Sequence, residues 1–189
     1  MDLIKFSIDD ALPVLNQGGL ILYPTDTIWG IGCDATNSDA IKKVYALKNR
    51  EEKKSLIILV DSIAMLEKYV DNPSPELLSF IATAQKPTTS IFKNAINLPS
   101  VLINEDGSIA VRIPKDDFCV RLIQEFKKPL VSTSANISGE PSPQNFNEVS
   151  DKIKSGVDYI VQHRQNDLQI SQPSSIIKLN EREEIEKIR

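Results

Sequence analysis

Short apolar runs suited to β-strands alternate with stretches of helical periodicity along this chain. That alternation predicts an α/β or α+β domain built round one mixed, twisted sheet with flanking helices. The strand runs are 20–23, 55–60, 88–92, 109–113, 129–131, 159–161, 175–179 and 184–188, and helices are expected near 7–17, 38–48, 62–70, 75–84, 118–126 and 146–155. No repeat and no linker interrupts them, and 189 residues with 41% apolar side chains supply one core, so 1–189 is read as a single domain.

Several function classes fall away on composition. The net charge of −4 argues against a protein whose main work is neutralising the phosphates of a long duplex. Cys33 and Cys119 form no CxxC pair, and one histidine, His163, is too little for a zinc site or an obvious nucleophilic triad. The N-terminus lacks the pattern of a secretory signal, and no apolar run approaches the ~20 residues that span a bilayer. A cytoplasmic chain with free thiols and no membrane association is expected. There is no GxxxxGK[ST] loop and no GxGxxG turn.

What the chain does carry is polar chemistry at the strand ends. Tyr23-Pro-Thr25-Asp26-Thr27 and the following Trp29-Gly-Ile-Gly32 close the first strand, as a ligand loop or as a polar turn with an aromatic plug. Lys48-Asn-Arg50, with Lys53 and Lys54, stands before a buried strand; it suits phosphate oxygens and equally the C-terminus of a helix. Ser108, Ala110 and Arg112 share one face of an apolar strand, where Arg112 needs an anion, internal or bound. Residues 129–143, PLVSTSANISGEPSP, gather Ser132, Ser134, Asn136, Ser138 and Ser142 into a surface dense in hydrogen-bonding groups for anions.

In this order the four clusters resemble the YrdC-like family. The resemblance rests on YPTDTIWGIGCDA, the KxR element at Lys48 and Arg50, the RxP element at Arg112 and Pro114, and the SAN-x-SG loop; PSSIIKL and EIEKIR extend it to the last strands. It implies a sheet with an open central cavity and an L-threonylcarbamoyladenylate synthase. In that reaction L-threonine takes up bicarbonate or CO2, and the carbamate attacks the α-phosphorus of ATP, releasing pyrophosphate. This is the first step of a threonylcarbamoyl modification of tRNA, completed by transfer partner proteins.

By resemblance, Thr27, Arg112, Ser132 and Ser174 hold L-threonine. Lys48, Arg50, Lys54, Ser108, Ser134, Asn136, Ser142 and Arg189 contact ATP, with Mg2+ bridging its phosphates, and Lys48 and Arg50 stabilise the pyrophosphate leaving group. The chain departs from the family at Gln85-Lys-Pro-Thr-Thr89, where a PGPxT stretch is common, at Glu51-Glu52 after KxR, and at Leu59, where longer relatives have a histidine near threonine. A second reading keeps the fold as a non-catalytic RNA-binding protein, with tRNA or other RNA held weakly. The intact KxR and SAN-x-SG elements favour catalysis.

Overall fold

The computed structural model describes residues 2–50, 56–170 and 172–189. Nine strands among them form one mixed sheet: β1 (Ile21–Tyr23), β2 (Gly30–Asp34), β3 (Ile57–Leu59), β4 (Thr88–Phe92), β5 (Ile109–Arg112), β6 (Leu130–Ser134), β7 (Tyr159–Ile160), β8 (Ser175–Leu179) and β9 (Ile185–Lys187). Their spatial order is β7-β1-β2-β6-β3-β5-β4-β8-β9. The pairs β1/β7, β3/β5 and β4/β8 are parallel and the others antiparallel.

Among the described residues six α-helices accompany the sheet: α1 (Leu3–Asn16), α2 (Ser38–Leu47), α3 (Ile63–Leu66), α4 (Pro75–Thr83), α5 (Asp117–Phe126) and α6 (Asp151–Ser155). Their starts are written locally, since Asn37, Ser74 and Asp116 each accept a hydrogen bond from a first-turn N–H. The core is mainly aliphatic, with Ile8 and Leu15 of α1, Ile41 and Val44 of α2, and Leu122 and Ile123 of α5 fully buried. α1 packs on β1, β2, β7 and α5, and α2 packs on β2. No helix among the described residues is long and apolar enough to cross a membrane.

α1 starts four residues ahead of expectation because Asp2 caps it, accepting from Ile4 and Lys5 N–H, and four further elements differ, each for a visible reason. β2 looks like a glycine turn in the sequence, yet it is a buried strand: a Cβ on Gly32 would stand 2.6 Å from the Tyr23 ring, so Gly32 makes room for that ring. β6 continues through Ser134 because β2 pairs with it along its whole length, while β3 covers its other side as far as Ser132, so Ser132 and Ser134 project from a strand. The helix near 62–70 stops at Leu66, and Val70 turns into an antiparallel bridge with Ala95. The helix near 146–155 divides at Val149, whose extended, buried backbone separates a 3-10 turn at Phe146–Glu148 from α6.

Candidate active site

Side chains on neighbouring strands point to the same face where their residues pair. The register therefore puts Gly30 and Gly32 of β2 beside Ser134 and Ser132 of β6, Ser132 beside Ile57 of β3, and Ile57 beside Ala110 of β5. Two residues along β5 stands Arg112, flanked by Leu59 and by Thr89 of β4, and Thr89 pairs with Ile176 of β8. One face thus carries two serines, two glycines and a single arginine among aliphatic residues, and a cavity of about 230 Å³ opens over it.

Of the sequence-expected site residues, Thr27, Arg50, Arg112, Ser132, Ser134, Ser142, Ser174 and Arg189 line this cavity. Arg112 is 3% exposed and answers the question its strand raised: it has an internal carboxylate, Asp26, with Nη2 at 3.3 Å from Oδ1, and its Nη1 donates to Thr27 Oγ1 at 3.1 Å. The Asp26 contact lies at ion-pair distance without hydrogen-bond alignment, and Arg112 Nε has no hydrogen-bond partner among the described residues. A guanidinium has five N–H donors. An internal pair that engages so few of them leaves a charged fork for a ligand carboxylate.

The KxR element works through helix-end geometry. Asn49 N–H donates to Ala46 O at 3.1 Å and Arg50 N–H to Tyr45 O at 3.0 Å, with Asn49 in the left-handed region at φ 52°. This is a Schellman ending, for which asparagine is well suited. It sends the two cations apart. Arg50 reaches the cavity, while Lys48, 1% exposed, points under the 134–138 loop.

There Lys48 Nζ donates to Ser134 O, to Asn136 O at 2.6 Å and to Asn136 Oδ1 at 3.3 Å, and Lys48 O accepts Ser138 N–H at 2.8 Å. Burial, and then the Arg50 guanidinium, pull the Lys48 ammonium down to about 8. Asn136 is equally committed. Its Oδ1 accepts from Ser134 Oγ and Lys48, and its Nδ2 donates to Ile137 O at 3.2 Å and Glu140 O at 2.6 Å. Neither side chain lines the cavity, which departs from the expectation that both contact ATP: their polar atoms are spent on the loop that carries Ser134 and Ser142.

Ser108 also departs from expectation. Its hydroxyl donates to Asp106 Oδ1 at 2.6 Å and accepts from Asn104 Nδ2 at 2.9 Å, and it lines a separate cavity near the start of α4. Lys54, Glu51 and Glu52 lie outside the described residues. Leu59 is fully buried beside Arg112, where an aliphatic side chain offers no polar contact. His163 is half-buried and stacks on Phe118 at 5.7 Å. Burial holds both cysteine thiols well above their ordinary range.

Three contributors have no individual role in the sequence reading. Thr89 Oγ1 lies 2.8 Å from Ser174 Oγ, beneath the cavity wall. Arg164 donates to Thr25 O at 3.1 Å and to Asp116 Oδ2 at 3.0 Å, tying the segment that leads to Ser174 to the first loop. Thr25 bonds to Thr27 at 2.9 Å. Of these, only Thr25 carried a signal, as the first threonine of a TDT triplet.

The family model for Sua5, YciO and YrdC proteins, described as "Telomere recombination", matches residues 13–189. The threonylcarbamoyl-AMP synthase of Pseudoalteromonas translucida (strain TAC 125) is 36% identical over 158 residues, covering 82% of this chain and 84% of that protein. The crystal structure of P. abyssi Sua5 complexed with L-threonine superposes with a TM-score of 0.81 at 26% identity, over 91% of this chain and 50% of that one. The chain thus spans about half the length of that Sua5 protein. E. coli YciO superposes with a TM-score of 0.80 at 22% identity, over 96% of this chain and 87% of that one, a likeness of fold.

Proposed function

The chain belongs to the Sua5/YciO/YrdC family, and from that premise we propose that it is an L-threonylcarbamoyladenylate synthase, a nucleotidyltransferase serving threonylcarbamoyl modification of tRNA in the cytoplasm. The observation that carries this reading is the buried Arg112 fork, bonded to Thr27 Oγ1 and sharing one cavity with Ser132 and Ser174. An amino acid carboxylate satisfies that fork in a bidentate contact, and the hydroxyls answer its remaining polar atoms.

The L-threonine amine attacks CO2 supplied by bicarbonate, forming the N–C bond of a carbamate and giving up a proton. A carbamate oxygen then attacks the α-phosphorus of ATP, the bond to the β-phosphate oxygen breaks, and pyrophosphate leaves. Little covalent work falls to the protein. Arg50 and Arg189, at the cavity edge, meet the phosphate charge, with Ser134 and Ser142 donating to phosphate or ribose oxygens. Lys48 supports them by holding the loop that carries both serines.

No group of three or more His, Cys, Asp and Glu side chains is gathered to hold a metal among the described residues. Asp26 is committed to Arg112 and to Lys115 N–H. This donor set does not fit a resident ion, so Mg2+ belongs to the substrate as MgATP, bridging its phosphates.

The test is pyrophosphate release from MgATP and bicarbonate, with and without L-threonine. Release is expected to depend on L-threonine, with L-serine poorer by about 10–200-fold, the usual range for one methyl group in an apolar pocket. Folded protein that releases no pyrophosphate under these conditions overturns the reading.

A further inference from the structure

Hydrogen bonds around Thr27 can be assigned a direction from the heavy atoms alone. Thr25 Oγ1 lies 2.8 Å from Ile28 O, 3.0 Å from Thr27 N and 2.9 Å from Thr27 Oγ1. A carbonyl can only accept and a backbone N–H can only donate, so the single proton of Thr25 goes to Ile28 O and one of its lone pairs takes the Thr27 N–H. The second lone pair faces Thr27 Oγ1, and that contact is bonding only if Thr27 is the donor. Arg112 Nη1, a donor without acceptor capacity, occupies one lone pair of Thr27 Oγ1 at 3.1 Å. Thr27 therefore has one valence left, and it is a lone pair. Thr27 lines the cavity.

We propose that Thr25 is a positioning residue that fixes the Thr27 hydroxyl as a pure acceptor, so that this wall of the cavity selects a ligand with an N–H donor at the α position. The inference rests on the amino acid reading of the site and deepens it. It separates the two hydroxyl pairs that flank Arg112. The Thr89–Ser174 pair, 2.8 Å apart, works with either oxygen as donor, so Ser174 can present a proton or a lone pair to a ligand. Thr27 cannot. The substrate nitrogen keeps an N–H both as amine and as carbamate, so the same acceptor serves it before and after CO2 is taken up.

The experiment compares L-2-aminobutyrate with 2-oxobutanoate as competitors of L-threonine in the pyrophosphate assay. They share a carbon skeleton and differ at the α position, a donor in one and an acceptor in the other. Thr25→Val removes the oxygen that takes the Thr27 proton, which leaves Thr27 free to donate to a ligand. The preference for 2-aminobutyrate is expected to fall by about tenfold in Thr25→Val, roughly one hydrogen bond, and to return in Thr25→Ser. An unchanged preference in folded Thr25→Val overturns the proposal. The unsubstituted protein tests the same point by NMR: with L-threonine bound, the Thr27 hydroxyl proton should show its through-space contact to Thr25, and a contact to the ligand instead overturns the proposal. Unsubstituted protein that neither turns over nor binds L-threonine overturns the amino acid reading itself, an outcome seen before any substitution is made.

Discussion

At the scale of single residues, the two most telling side chains are cations whose charges have different employment. Arg112 keeps donors for a ligand because Asp26 meets it at 3.3 Å without full alignment, whereas Lys48 spends its donors on Ser134 O, Asn136 O and Asn136 Oδ1. The difference predicts a pH dependence whose sign follows from geometry. Lys48 titrates near 8, below the ordinary lysine range, because burial disfavours its charge. Below that pH the ammonium has three N–H groups for three oxygens. Above it the amine has two, and its lone pair faces an oxygen, so the grip on the loop weakens as pH rises. With L-threonine saturating, KM for ATP should rise as pH passes through about 8 and level off once Lys48 is neutral, by about tenfold in all for one hydrogen bond lost to the loop. Steady-state measurements from pH 7 to 9.5 check this, and a flat profile would detach Lys48 from the nucleotide side of the site.

At the scale of elements, the arrangement depends on how α2 ends. Lys48 and Arg50 diverge because Asn49, at φ 52°, closes the helix in a left-handed residue. A β-branched residue is strained there, so Asn49→Val should cost about 1–3 kcal/mol of stability, read as a lowered urea midpoint, and should also misdirect Arg50 and lower turnover. Asn49→Gly should stay within about 1 kcal/mol of the parent and keep its activity. Equal losses in both variants would mean that the helix ending does not direct these side chains. Such endings mark the limit of what was legible in the sequence. Strands with self-evident apolar runs, such as β4 and β8, match their expected bounds, and the hydroxyl clusters foretold which strand ends meet at the cavity. β2 was hidden because Gly32 makes room for the Tyr23 ring, a partner on another strand. The placement of Lys48, Asn136 and Ser108 was hidden for a similar reason, since a polar residue in the right motif can face its own loop or the ligand, and tertiary hydrogen bonds decide which.

At the scale of the whole molecule, the cavity is assembled from residues far apart in the chain: Thr27, Arg50, Arg112, Ser132, Ser174 and Arg189. Sheet order brings them together, with β6, β3, β5, β4 and β8 side by side beneath one opening. Even the closing strand takes part, because Arg189 donates to Ser174 O from Nε at 3.2 Å and from Nη2 at 3.1 Å, while Ile176 N–H donates to Arg189 O at 3.0 Å. No local segment of an unfolded chain can reproduce this set of contacts, so a ligand bridging Arg112, Ser132 and Ser174 binds the folded state alone. Binding then stabilises the entire fold by mass action, about 2.7 kcal/mol at a hundred times Kd. For a chain of 189 residues, where each kcal/mol moves Tm by about 2–4 °C, L-threonine at that concentration should raise Tm by about 5–11 °C. Arg112→Lys keeps a cation for Asp26 but loses the planar fork, so the same L-threonine concentration should move its Tm by less than about 2 °C. Differential scanning fluorimetry across a threonine titration checks both. A shift of equal size in the two proteins would place threonine recognition away from Arg112, and with it the carboxylate end of the proposed site.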